Sequence, residues 1–186
     1  MEIKDLKPEL VWKFFGQLSE IPRGSGDEKA VSDYLVNFAK ERNLEVRQDE
    51  ALNVIFKKDA SAGCEDKPTI ALQGHMDMVC VKENDSDHDF SKDPIKLIVD
   101  GEWVRADGTT LGADDGMGVA YILAIFDDEE VAHGPLEAII TTGEETSMVG
   151  ANALDASDIN AKYLINIDTE EDGILTIGCL LYTSDA

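Results

Sequence analysis

Thr69-Ile70-Ala71-Leu72-Gln73-Gly74-His75-Met76-Asp77 carries an apolar run directly into a His and a carboxylate. The run reads as a buried inner strand of a sheet. His75 and Asp77, two residues apart in an extended chain, project to the same side. One of them can bind a metal ion while the other braces it, because a ligand His commonly donates its second ring N–H to a carboxylate, which fixes the tautomer. A single His-x-Asp often occurs without a metal. Three further stretches change its meaning: Gly112-Ala113-Asp114-Asp115-Gly116, Gly143-Glu144-Glu145 and Asn166-Ile167-Asp168 also follow or end apolar runs. Carboxylates and one His gathered at strand ends are how a dinuclear metal site is written into an α/β sheet, and His with carboxylate oxygens is a donor set for Zn²⁺-type ions.

Outward from this strand the periodicity supports the same fold class. Residues 8–18 place Leu10, Val11, Phe14, Phe15 and Leu18 on one helical stripe after a Pro in the first turn. A second amphipathic helix is expected from Gly26-Asp27, with Asp27 as N-cap, to Arg42-Asn43. These two helices should cover one sheet face. Leu44-Glu45-Val46-Arg47 and Asn53-Val54-Ile55-Phe56-Lys57 read as a strand hairpin, and residues 97–105 as another around Asp100-Gly101. Residues 82–93 form a long polar loop, and residues 116–126 an apolar helix opened by Asp114-Asp115. Leu136-Glu137-Ala138-Ile139-Ile140-Thr141 and Tyr163-Leu164-Ile165-Asn166-Ile167 are expected as further buried strands, with a short last one at residues 174–177. Helices alternating with mostly buried strands predict an α/β fold with a mixed, largely buried sheet layered between helices.

Each acidic stretch has an ordinary explanation when taken singly. Asp114 and Asp115 could cap a helix, Glu144 and Glu145 could form an exposed acidic turn, and Asp168 could be a solvated strand end. Capping needs only one of the two Asp residues, and the flanking glycines let the backbone approach a ligand closely, so Asp114 is favoured as a carboxylate bridging two ions. Adjacent Glu residues repel unless a cation or proton intervenes. In an extended chain they point opposite ways, so one can bind metal while the other acts as general base. Taken together, the stretches favour a metal site.

Composition bounds the partners. Sixteen Lys and Arg stand against 39 Asp and Glu in 186 residues, and the net charge of -23 repels nucleic acid and anionic membranes while attracting cations. Most of that charge is accounted for by a soluble acidic surface. A hydrophobic content of 43% is enough for one ordinary domain core. Cys64, Cys80 and Cys179 form no metal-finger pattern and fit a reduced, cytoplasmic setting. Met1-Glu2-Ile3-Lys4-Asp5-Leu6 lacks the apolar core of a signal peptide, and no apolar run approaches the roughly 18 residues of a spanning helix. Asp85, Asp87 and Asp89 imitate a calcium loop, but Phe90 and Lys96 stand where its Gly and bidentate Glu belong. Gly24-Ser25-Gly26 lacks the spacing of a nucleophile elbow, and Gly112 to Gly118 lacks a dinucleotide fingerprint. His88 and His133 are read as loop residues.

Beyond these motifs, Ile21-Pro22-Arg23, His75-Met76-Asp77-Met78-Val79, His88-Asp89-Phe90, Lys92-Asp93-Pro94-Ile95, Gly101-Glu102-Trp103-Val104, Gly108-Thr109-Thr110-Leu111-Gly112-Ala113-Asp114 and His133-Gly134-Pro135-Leu136-Glu137 follow one pattern. In it the chain resembles the aminoacyl-histidine dipeptidase, or cytosol nonspecific dipeptidase, family of dinuclear zinc peptidases. The resemblance implies His75 and Asp168 on one metal, Asp114 bridging, Glu145 on the other metal, Glu144 as general base and Asp77 orienting His75. It also implies two divalent ions, Zn²⁺ first with Mn²⁺ or Co²⁺ as alternatives, and hydrolysis of dipeptides, including those with a C-terminal His.

Family members are longer, with a lid domain and a late His on the second metal. Residues 1–178 are therefore expected to be the N-terminal part of a zinc exopeptidase-like catalytic domain. The tail at 179–186, which departs from the family pattern, is expected to be non-native. The intact parent is expected to be a homodimer through the lid, and the chain alone inactive or weakly active. Two alternatives stand beside this: a related metal-dependent deacylase or aminopeptidase, and an acidic metal-binding module without catalysis.

Overall fold

The parallel alignment of three strands decides where the chemistry can sit. In a computed structural model, which describes residues 2–169, 173, 174, 176 and 177, a five-stranded sheet runs in the order β1, β2, β6, β3, β7. Its strands are β1 (Glu45–Gln48), β2 (Val54–Lys58), β3 (Ile70–His75), β6 (Leu136–Thr141) and β7 (Tyr163–Asn166). β3 is parallel to both β6 and β7, while β2 is antiparallel to β6 and to β1. His75 pairs with Thr141, and Gln73 with Asn166. The carboxyl ends of β3, β6 and β7 therefore share one edge of the sheet, where open α/β sheets bind their ligands.

Alternation along these strands divides their apolar residues between two faces. Phe56, Leu72 and Ile140 enter the main core with Phe14, Phe15 and Leu18 of α1 (Glu9–Ser19), Val31, Leu35 and Phe38 of α2 (Lys29–Glu41), and Val119, Ile122, Leu123 and Phe126 of α3 (Ala113–Asp127). Ile55, Ala71 and Ile139 face the other way, under Leu154, Ile159 and Ala161. On that second face the buried Glu137 accepts hydrogen bonds from the backbone N–H of Asn160 and Ala161 and pairs with Lys57 at 3.4 Å. The expected mixed α/β architecture is present, as is the separate hairpin of β4 (Leu97–Asp100) and β5 (Trp103–Ala106). Among the described residues no helix is long and apolar enough to cross a membrane.

Phe56 is fully buried, with ring centroids 5.8 Å from Phe38 and 4.8 Å from Phe126. Truncating it removes the aromatic contact that joins α2, β2 and α3. Phe56→Ala is expected to lower stability by about 3–5 kcal/mol, read as a shift in the urea midpoint at an unchanged slope.

Three local expectations need correcting. Glu28, not Asp27, occupies the N-cap of α2, and it makes no side-chain cap because its Oε1 is engaged by the N–H of Gly26 and Gly143. Glu144 and Glu145 do not continue an extended chain; they open the short helix α4 (Glu144–Ser147), which is followed by α5 (Val149–Ala153). β7 is exposed, with Tyr163, Leu164 and Ile165 at 52%, 55% and 45%, because among the described residues it pairs only with β3. The tail at 179–186, Cys179 and part of the strand expected at 174–177 lie outside the described residues.

Candidate metal centre

His75 ends β3 with its ring 1% exposed, packed between two sets of carboxylates. Nε2 lies 3.1 Å from Asp114 Oδ1 and 3.9 Å from both Glu144 Oε2 and Asp168 Oδ1. Nδ1 lies 3.3 Å from Asp77 Oδ1, close enough for charge attraction but without the alignment of a hydrogen bond. His75, Asp114 and Asp168 each offer one ligand atom, and these atoms lie within 4.8 Å of one another. Glu144 approaches this group, whereas Glu145 stands outside it beside Asp114.

The topology accounts for each placement. Met76 N–H donates to Thr141 O at 2.9 Å, so the chain beyond β3 stays paired to β6 and carries Asp77 behind the imidazole. Gly143, with φ of 62°, turns the end of β6 into α4. Successive side chains on a helix are about 100° apart, so Glu144 and Glu145 leave α4 in different directions, and Glu144 Oε2 comes within 3.9 Å of His75 Nε2. Ile167 N–H donates to Gln73 O at 2.9 Å, which brings Asp168 to the same edge.

Asp77 is fully buried and accepts from three donors: Ser25 O–H at 2.8 Å, Glu144 N–H at 3.1 Å and Glu145 N–H at 3.3 Å. Burial by itself would raise its pKa, but His75, the Ser25 hydroxyl and the Glu144 N–H hold it down at about 2. Burial likewise disfavours charge on His75, yet Asp77, with help from Asp115 and Asp168, raises it to about 9. Burial first, then Asp114 and Glu144, push the carboxyls of Glu145 and Asp168 upward against the pull of His75. This is a cluster with more negative charge than its one imidazole can neutralise.

Neither Asp of the Asp114-Asp115 pair caps α3. Both have non-helical backbone angles, the peptide between them is cis, and regular helix begins at Gly116. Asp115 is buried and accepts the His75 N–H at 3.1 Å through Oδ2; burial and then Asp168 raise its pKa to about 7. A Cβ on Gly74 would stand 2.2 Å from that oxygen, so glycine is needed there.

The sequence assigns no role in the site to Asp115 or Ser25. Asp115 reads from the sequence as a helix cap, and nothing in the spacing brings Ser25 to Asp77, which is 52 residues away. His88 meets Phe90 edge to face with ring centroids 4.5 Å apart, and His133 Nδ1 contacts Gly134 O at 2.7 Å; neither contact involves His75.

The residues present fit a divalent ion. Ligand atoms about 2.0–2.2 Å from a common tetrahedral ion stand roughly 3.3–3.6 Å apart, and the distances of 3.1 and 3.9 Å around Nε2 bracket that spacing. One imidazole nitrogen with carboxylate oxygens suits Zn²⁺ and Mn²⁺ better than a soft thiolate metal.

Peptidase family M20/M25/M40 matches residues 71–182. The cytosol non-specific dipeptidase of Escherichia coli (strain K12) is 46% identical over 178 residues, which is 96% of this chain and 37% of that protein. The crystal structure of aminoacylhistidine dipeptidase from Vibrio alginolyticus superposes with a TM-score of 0.91 at 45% identity, over 93% of this chain and 35% of that one. Aminopeptidase PepT from Bacillus cereus ATCC 10987 gives a TM-score of 0.73 at 28% identity, over 88% of this chain and 44% of that one. The chain thus spans a little over a third of the length of the curated dipeptidase it matches. The resemblance read from the sequence is borne out, and the chain belongs to peptidase family M20/M25/M40.

Proposed function

We propose that the protein carrying this chain is a metal-dependent dipeptidase that hydrolyses Xaa-His and other dipeptides. The observation that carries this is the convergence of Asp114, Glu144 and Asp168 on the buried Nε2 of His75, with Asp77 seated behind the ring. The names of the relatives, a dipeptidase and an aminoacylhistidine dipeptidase, support the substrate class. Residues 1–178 are the N-terminal part of the catalytic domain in this reading, and 179–186 a non-native tail. The second ion is completed, and a homodimer formed, by segments outside this chain. A cytoplasmic location accords with the cytosolic relative.

His75 Nε2 and Asp168 would hold one ion, Asp114 would bridge, and Glu145 would hold the other. Two such ions, Zn²⁺ first and Mn²⁺ or Co²⁺ as alternatives, supply Lewis acidity toward the scissile carbonyl. Asp77 keeps the proton of His75 on Nδ1, which leaves the Nε2 lone pair facing the carboxylates. Glu144 takes a proton from the attacking water on its side-chain carboxylate and passes it to the leaving amine.

The test uses the whole protein. Two Zn²⁺ or Mn²⁺ per chain are expected in a calorimetric titration, with hydrolysis of Xaa-His dipeptides abolished by a chelator and restored by the ion. Tight binding without turnover would favour the non-catalytic metal-binding reading. Turnover only of substrates with a blocked N-terminus would favour a deacylase.

A further inference from the structure

Arg23 lies in the loop between α1 and α2, is 2% exposed, and makes its hydrogen bonds to the backbone of two site-bearing segments. Nη1 donates to Met76 O at 3.0 Å and to Asp77 O at 3.3 Å, and Nη2 donates to Gly112 O. One planar group therefore joins the chain around Asp77 to the turn that presents Asp114. The loop itself runs alongside the first of these segments. Met78 N–H donates to Arg23 O at 3.1 Å, and Gly24 pairs with Met78 in a parallel bridge.

Two more side chains of the same loop reach the site. The Ser25 hydroxyl is 2.8 Å from Asp77 Oδ2, and Glu28 Oε1 accepts the Gly143 N–H at 3.2 Å, immediately before Glu144. Residues 23–28 thus touch the segments bearing His75, Asp114 and Glu144.

Packing alone does not account for a guanidinium here. A buried charge is disfavoured unless it is paired and hydrogen-bonded, and apolar side chains of similar volume often replace one without loss of stability. The charges of Asp77 and Asp115 favour it, but its Nε–H has no partner among the described residues. The group is held where its two terminal nitrogens are needed, not where all five donors are satisfied. Lysine, a single charged nitrogen on a flexible stem, cannot hold both segments in one plane. The space is also specific: a Cβ on Gly116 would stand 2.5 Å from Nη2 and 3.3 Å from Cζ.

Resting on the metal-centre reading above, we propose that Arg23 is a positioning residue that fixes the spacing between the segment bearing His75 and Asp77 and the turn bearing Asp114, while Ser25 and Glu28 fix Asp77 and Gly143 from the same loop. It touches neither substrate nor ion. Its effect is exerted through the geometry of the ligands.

The test compares the whole wild-type protein with Arg23→Lys and Gly116→Ala, the latter leaving the charge in place while its methyl displaces the fork at 2.5 Å and also presses on the Phe15 ring at 3.3 Å. Zn²⁺ affinity is measured by competition with a chromophoric chelator, the metal-free melt is recorded, and kcat and KM are determined for a dipeptide. Both variants are expected to melt cooperatively without metal, to bind Zn²⁺ at least tenfold more weakly, and to lose kcat with KM little changed. A lower metal-free melting temperature with wild-type affinity and kcat would make Arg23 merely structural and overturn the proposal. If Arg23→Lys fails to melt cooperatively, Gly116→Ala decides by the same criterion. Wild-type protein that binds Zn²⁺ without turnover would remove the dipeptidase reading and leave the affinity comparison decisive; wild-type protein that binds no Zn²⁺ would overturn both.

Discussion

Glu144→Gln in the whole protein is expected to lower kcat for a dipeptide by about 10²–10⁴-fold, the range spanned by a positioned general base, with Zn²⁺ binding and melting temperature at wild-type values. The substitution preserves shape and removes only the ability to take a proton. The Glu144 backbone N–H, which donates to Asp77 at 3.1 Å, is unaffected by it. Glu144 Oε2 stands 3.9 Å from His75 Nε2, at the rim of the group formed by His75, Asp114 and Asp168. A rim carboxylate can face a water and substrate without being needed to hold an ion. Glu145→Gln is the matched control, since it alters the carboxylate beside Asp114 and should weaken ion binding before it alters the proton transfer. Steady-state kinetics at saturating Zn²⁺, paired with a titration, separate the two. Wild-type kcat in Glu144→Gln would move the base to another residue.

The parts of this centre that were legible in the sequence are those set by strand ends. An apolar run of six residues finishing in a ligand residue says where a parallel strand stops, and β3, β6 and β7 do stop at one sheet edge. His75, Glu144 and Asp168 were therefore recoverable as neighbours, whereas Asp114 arrives from the turn that opens α3 and not from a strand end. What was not legible depends on contacts distant along the chain. Asp27 reads as the N-cap of α2, yet Glu28 takes that position and its carboxylate accepts the N–H of Gly143, 115 residues away, instead of capping the helix. Asp115 sits at a helix opening and satisfies a strand N–H instead, because the backbone at Asp114 and Asp115 is not yet helical. The direction of the Glu144 side chain depended on α4 forming, and four residues carry too little periodicity to announce a helix. β7 shows the opposite failure: Tyr163, Leu164 and Ile165 have the apolarity of an inner strand, and only the strand order among the described residues puts them at an edge.

Asp77→Asn is expected to weaken Zn²⁺ binding by about 10–100-fold, the range for a group that orients a ligand His, and to lower metal-free stability by about 1–3 kcal/mol. The reason lies in how four groups share two oxygens. Oδ1 faces His75 Nδ1 and the Glu144 N–H, while Oδ2 faces the Ser25 hydroxyl and the Glu145 N–H. Asparagine has one carbonyl oxygen and one NH₂ group, so either orientation sets donors against donors. With NH₂ toward His75, the imidazole must accept at Nδ1 and carry its proton on Nε2, which places that proton among the carboxylates where a lone pair is needed. With NH₂ toward Ser25, the Glu145 N–H loses its acceptor at a fully buried position, and the turn that presents both Glu side chains loosens. Ser25→Ala removes one hydrogen bond and leaves the carboxylate, so it should lower stability by about 1 kcal/mol and shift affinity less than Asp77→Asn does. Chemical denaturation of the metal-free protein and a chelator competition distinguish these outcomes. If Asp77→Asn lost stability yet bound Zn²⁺ as tightly as wild type, Asp77 would be holding the backbone of α4 in place without governing the imidazole.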